Sequence, residues 1–262
     1  MQCYIVAEIG VNHDGDIEKA IELINQAKNC GCNAVKFQGF RAEKLVDPKA
    51  KKVDYQLRSG SNDESHFEMI KKLEFNGKNL EHVIKYSAEK NIDFITTPYD
   101  VDSLNEAYSY GVRKFKTASA DLCDAYLHNK LSKLENVEIV IATGMSNLQK
   151  ISSTISYYKK INPVILHCVS DYPCSDNALN LKGLDLLKIN FPNNRIGFSD
   201  HSEGITAAIV AASLGFNYFE RHFTINKNDN GPDHFASSDP IEMSNYVREI
   251  NRVNNILGKK EK

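Results

Sequence analysis

Lys36 and Lys116 interrupt two apolar runs, Ala34–Gln38 and Val112–Lys116, that otherwise read as buried. An ammonium group in such a place is expensive unless it meets an anion. Thr97, Ser119, Ser170 and Ser199 stand at or just beyond the ends of similar runs. Two ammonium groups converging with such hydroxyls suit a cradle for a phosphate or a carboxylate. The competing reading is a structural pair between Lys36 and Glu8, which lies inside the first run, Tyr4–Ile9. His201 and His222 follow two further runs, beside Asp200 and Arg221. A single histidine in such a position is more often a satisfied structural residue. Two imidazoles with a nearby carboxylate and an open position suit a catalytic divalent cation. Gln38 and Tyr172 join the same set of polar groups. His167 lies inside its run and reads as core, whereas His66, His82 and His128 read as surface or helix residues. His13 and His234 read as loop residues beside the site, placed for substrate contact. Cys30-x-Cys32 reads as core packing at a helix end.

Bringing these groups together needs an architecture with many convergent strand ends. Eight short runs rich in Val, Ile and Phe read as strands: Tyr4–Ile9, Ala34–Gln38, Asp93–Thr97, Val112–Lys116, Glu138–Ala142, Val164–Cys168, Arg195–Phe198 and Asn217–Glu220. Helical spacing fills the gaps. Ile17, Ala20, Ile21, Ile24 and Ala27 mark one buried face, as do Met243, Tyr246, Val247, Ile250, Val253, Ile256 and Leu257 near the end. Continuous apolar strands alternating with helices mean a parallel sheet covered by helices. Eight such units in 262 residues predict an α/β protein of the (β/α)8 TIM-barrel type, a single domain over residues 1–262. A doubly wound open sheet is the alternative, but its first turn here, Gly10-Val11-Asn12-His13-Asp14-Gly15, is not GxGxxG. In a barrel the active site is built at the C-terminal strand ends. There, Glu8, Lys36, Gln38, Thr97, Lys116, Thr143, His167, Asp200, His201, Arg221 and His222 form a polar ring. Such a ring is costly without a function. Phe40–Glu64 reads as an active-site loop after the second strand, and Lys259-Lys260-Glu261-Lys262 as a solvated tail.

Composition narrows the partners. With 32 basic and 34 acidic residues the formal net charge is −2, which argues against nucleic acid and anionic membranes as main partners. No apolar stretch approaches the roughly 18 residues of a membrane span, and no signal peptide is expected before the first strand. The six cysteines form no CxxC pair and read as reduced thiols in a cytoplasmic protein.

Several segments carry a family resemblance. They are Ala7-Glu8-Ile9-Gly10-Val11-Asn12-His13, Val35-Lys36-Phe37-Gln38, Thr96-Thr97-Pro98-Tyr99-Asp100 and Ala142-Thr143-Gly144-Met145. Further along come Leu166-His167-Cys168-Val169-Ser170-Asp171-Tyr172-Pro173, Gly197-Phe198-Ser199-Asp200-His201, Glu220-Arg221-His222-Phe223-Thr224 and Gly231-Pro232-Asp233-His234. In this order, over nearly the whole chain, they resemble the N-acetylneuraminate (sialic acid) synthase family. The resemblance implies a metal-dependent barrel enzyme that condenses phosphoenolpyruvate with an N-acetylmannosamine-like aldose. The products are phosphate and a nine-carbon 2-keto sugar acid. It implies Mn²⁺ or Mg²⁺ on His201 and His222. It also implies a phosphoenolpyruvate cradle of Lys36, Thr97, Lys116, Ser119, Ser170 and Ser199, an acid/base role for Glu8, and sugar contacts from Asp233 and Tyr172.

Two departures stand out. Lys116-Thr117-Ala118-Ser119-Ala120-Asp121 has alanine where the family has a flexible glycine. The family's C-terminal antifreeze-like domain, which covers the partner's site in a dimer, is expected to be absent, with the sequence ending after the eighth helix. The site is then expected to close with its own loops, Phe40–Glu64 and Ile225–Asp239, and a homodimer is expected. A metal-dependent keto-acid aldolase or lyase, and a sugar-binding barrel without catalysis, are the competing functions.

Overall fold

Alternate side chains of a strand face opposite ways, so each apolar run supplies one row to the barrel axis and one to the helices. The computed structural model describes residues 3–52 and 65–258. Its strands are β1 (Tyr4–Gly10), β2 (Ala34–Gly39), β3 (Asp93–Pro98), β4 (Lys114–Thr117), β5 (Glu138–Ala142), β6 (Val164–His167), β7 (Ile196–Asp200) and β8 (Tyr218–His222). All pair in parallel, each with the next, and β8 returns to β1 to close the barrel. Among the described residues eight crossover helices alternate with them: α1 (Ile17–Asn29), α2 (Gly77–Glu89), α3 (Val101–Ser109), α4 (Ala125–Leu131), α5 (Leu148–Ile155), α6 (Lys182–Asn190), α7 (Thr206–Ser213) and α8 (Pro240–Leu257), with further short helices at His66–Lys72 and Asp176–Leu179. The buried face of α8 stops short of the expected Ile256 and Leu257, which are exposed in its last turn. The expected (β/α)8 architecture is the observed one.

Local chemistry sets the helix ends. The Asp16 carboxylate accepts from the Glu18 and Lys19 amides at the start of α1. Asp239 and Glu242 form a reciprocal capping box at α8, with Pro240 at the first position. Strands β7 and β8 run two residues further than the apolar pattern predicts. Asp200 and Arg221 continue the ladder because they are register partners and bind each other. The expected loop Phe40–Glu64 holds one short helix, Ala42–Leu45, and its residues 53–64 lie outside the described residues, as does the tail Lys259–Lys262.

Inside the barrel the side chains form three storeys. At the bottom, Tyr4, Asp93 and Lys114 bind one another, with Tyr4 donating to Asp93 at 2.6 Å and Lys114 2.9 Å from it. Above lies an apolar plug of Val6, Ala34, Ile95, Val140, Val164, Leu166 and Tyr218. The top storey is the polar mouth. A larger apolar layer, including Ile5, Phe37, Phe115, Phe198, Phe219 and Tyr246, fills the space between strands and helices. His128 is buried there, not at the surface, with Nδ1 2.6 Å from the Tyr158 hydroxyl. All six cysteines are free, and Cys30 and Cys32 are buried in the outer core as expected. Among the described residues no helix is long and apolar enough to cross a membrane.

The plug is what the mouth rests on. Truncating Ile95, which is fully buried, to alanine should cost about 2–5 kcal/mol. Urea unfolding of Ile95→Ala against the wild type measures it, with an unchanged m-value expected.

Candidate active site

Position along each strand decides which residues look into the mouth. From β1 comes Glu8, from β2 Lys36 and Gln38, from β3 Thr97, and from β4 Lys116. Strand β8 sends in Glu220 and His222, and Ser199 and His201 come from the end of β7. With Ser119, Cys168, Ser170 and Tyr172 they line one cavity of about 220 Å³. Two side chambers adjoin it at Tyr172 and His222. One, about 320 Å³, is mostly apolar and lined by Val11, Phe40, Leu45, Val46, Ile70 and Leu73. The other, about 330 Å³, is lined by Lys227, Asn228, Asp229, Asn230, Pro232 and Phe235. Asp233 borders both side chambers.

Four buried charges form the floor. Lys36 Nζ lies 2.6 Å from Glu8 and 3.8 Å from Glu220, and it donates to Thr97 at 3.0 Å. Lys116 Nζ donates to Glu220 at 2.7 Å, and the Ser199 hydroxyl donates to the same oxygen at 3.0 Å. The structural pair of Lys36 with Glu8 and the convergence of both lysines on one cavity are therefore both present. The two carboxylates are unequal. Burial raises Glu8, and the charge of Glu220 adds to it against the pull of Lys36 and Lys116. Burial also opposes the charge on Glu220, but Lys116 and Lys36 outweigh it and hold that carboxyl well below the usual range. Carboxylates pushed apart in this way are suited to different proton roles.

Ser119 and Ser170 line the same cavity. The Gly144 amide donates to the Ser119 hydroxyl at 3.0 Å. A side chain at Gly144 would meet the Ser170 and Ser119 oxygens at 2.6 and 2.8 Å. Only glycine leaves this hydroxyl-lined recess open.

The histidines are neighbours, with ring centroids 5.7 Å apart, ring planes tilted by 55° and Tyr172 packed on both. His201 donates from Nδ1 to the Val169 carbonyl at 2.6 Å, so its Nε2 keeps a lone pair on the cavity side. Nδ1 of His222 is buried without a hydrogen-bond partner, 3.8 Å from an Asp233 oxygen. Burial holds His201 down to about 4 and His222 well below the imidazole range, so both rings are neutral at neutral pH. Burial pushes the Asp233 carboxyl up to about 6. Two neutral imidazoles, one with an orphaned nitrogen, and an adjacent carboxylate are a donor set that fits a divalent cation.

Residues 23–262 match the NeuB family. The chain belongs to that family. It is 38% identical over 259 residues to the N,N'-diacetyllegionaminic acid synthase of Campylobacter jejuni, covering 97% of this chain and 77% of the relative. It is 32% identical to the human N-acetylneuraminate-9-phosphate synthase, over 98% and 71% of the two chains. The crystal structure of a sialic acid synthetase from Leptospira borgpetersenii in complex with citrate superimposes with a TM-score of 0.87 at 32% identity. That match covers 100% of this chain and 87% of the other.

In this NeuB-family chain the structure corrects the sequence reading at four places. Arg221 and Asp200 do not face the mouth. They bind each other at 3.0 Å on the outer side of the barrel, with Arg221 over the ring of Tyr246 in α8. His13 and His234, expected beside the substrate, are fully buried. His13 packs on Phe37 and Phe75, and His234 bonds to Thr224 and Asp14. His167 is structural as expected, with Nε2 2.8 Å from the Leu179 carbonyl. Glu220 was missed. The signal for it was parity: two residues before His222, it must face the same way.

Replacing Glu220 with glutamine leaves Lys116 buried beside a neutral group and should destabilise the protein by about 3–5 kcal/mol at pH 7. Because the folded-state value of Glu220 is depressed, its contribution is present above the unfolded-state value of about 4.3 and is lost as pH falls. Denaturant unfolding of wild type and Glu220→Gln should therefore converge as pH drops below about 4.

Proposed function

We propose that this protein condenses phosphoenolpyruvate with an N-acetylmannosamine-like aldose, giving a sialic-acid-type 2-keto sugar acid and phosphate. The observation that carries the reading is the pair of buried lysines converging on one small cavity beside two neutral histidines. The names of the synthase relatives support it. In the reaction, the methylene carbon of phosphoenolpyruvate bonds to the aldose carbonyl carbon. The carbonyl oxygen takes a proton and becomes a hydroxyl. Water adds at the former enol carbon, and loss of phosphate leaves the ketone.

Lys36 and Lys116 bind the phosphate and carboxylate of phosphoenolpyruvate, with Thr97, Ser119, Ser170 and Ser199 supplying hydroxyl contacts and Gln38 closing the β2 side. The four floor charges sum to zero before substrate arrives, so a bound trianion shifts the balance. Glu8, whose carboxyl is already raised, takes up a proton, releases Lys36 to the incoming anion, and delivers that proton to the new hydroxyl. Glu220 remains ionised and holds Lys116 in place. Tyr172 and Asp233 orient the aldose where the three cavities meet. His201 and His222, with Asp233 beside them, hold the divalent cation, and mixed nitrogen and oxygen donors favour Mn²⁺ over Mg²⁺. When bound, the cation polarises the aldose carbonyl.

Incubation with phosphoenolpyruvate, Mn²⁺ and N-acetylmannosamine or a di-N-acetylated 6-deoxyhexose, with phosphate release as readout, tests the activity. Lys116→Ala should raise KM for phosphoenolpyruvate about tenfold or more, with a smaller change for the aldose. Glu8→Gln should lower kcat by about 10²–10⁴-fold. Release of no phosphate with any aldose refutes the reading.

Proton uptake by Glu8 has its own measurement. Calorimetric titration with phosphoenolpyruvate in buffers of different ionisation enthalpy should report uptake of about one proton near pH 7. Glu8→Gln should abolish it.

A further inference from the structure

Asp233 borders both side chambers, and no strand carries it. It sits in the loop between β8 and α8, and a loop side chain is placed only as well as its loop is fixed. Lys19, on α1, puts its ammonium 2.6 Å from Asp14 and 2.6 Å from Asp229. Asp14 in turn lies 3.2 Å from Nε2 of His234, the residue next to Asp233. A carboxylate only accepts, so Nε2 carries the hydrogen, and Nδ1 lies 2.6 Å from the Thr224 hydroxyl. The fit around His234 is tight. It is fully buried, and a side chain at Gly231 would fall 2.7 Å from its ring.

Asp14, Asp229 and His234 also bring their donor atoms within 4.8 Å of one another, a spacing compatible with a metal ion. Lys19 already stands between the two carboxylates and supplies the positive charge there. The cluster therefore reads as a mechanical link from α1, through the first loop, to the last.

We propose that Lys19, Asp14 and His234 are positioning residues that form a strut holding Asp233 against His222, and through Asp233 the aldose. The step from Asp233 to the aldose rests on the condensation reading above. Lys19 is the residue to change, because it is partly exposed and outside the core. In Lys19→Met, amide hydrogen exchange across residues 225–238 should rise about tenfold while the strands stay protected. Lys19→Arg should restore protection. With active enzyme, Lys19→Met should raise KM for the aldose about tenfold and leave KM for phosphoenolpyruvate within about twofold. Unchanged exchange in Lys19→Met overturns the strut whatever the activity does. Faster exchange with both KM values moving together overturns the link to the aldose. If the wild type turns over no aldose, the condensation reading falls, and faster exchange in Lys19→Met still upholds the strut.

Discussion

Two carboxylates and two ammonium groups are packed together on top of an apolar plug, almost out of reach of water. Each such ion costs several kcal/mol to desolvate, and pairing offsets that cost only where the geometry is good. The requirement reaches well beyond the four side chains. Glu8, Lys36, Lys116 and Glu220 come from β1, β2, β4 and β8, so their distances fix the tilt and register of half the barrel. A shift of one residue in any of these strands turns a charge out into the helix layer. The arrangement is also lopsided: Glu220 lies within reach of both lysines, whereas Glu8 pairs with Lys36.

Much of this was legible in the order of residue types. Eight apolar runs separated by helical stretches specify the barrel, and polar residues at their ends mark its mouth. What was not legible follows from parity and from pairing across the fold. The pattern stopped β8 at Glu220 and handed the mouth to Arg221, although His222 fixes the inward phase and Glu220 shares it. Asp200 and Arg221 look like active-site charges in sequence because nothing local shows that each is the other's partner. His13 and His234 look exposed because loops usually are, yet their partners come from another loop or from Phe37 and Phe75. Lys36 as cavity-lining ammonium and Lys36 as partner of Glu8 are not alternatives, since a buried lysine needs a resident anion wherever it points.

The mouth divides its work between rigid and looser parts. Floor charges and histidines stand on strand ends, where the ladder holds them. The side chambers are walled by segments between strands and helices, including Phe40–Val46 and the stretch from Lys227 to Phe235. Loops of this kind tolerate change far better than the strands beneath them. The rim can therefore vary while the floor beneath it stays constant.

The pairing of β1 with β8 sets Glu8 directly beside His222. The first and last strands of the barrel thus each line part of the same cavity. During translation, a chain that has emerged as far as β7 already carries both lysines and His201, but it lacks the carboxylate that anchors Lys116. The site comes into being in a single late event, when the final strand docks against the first.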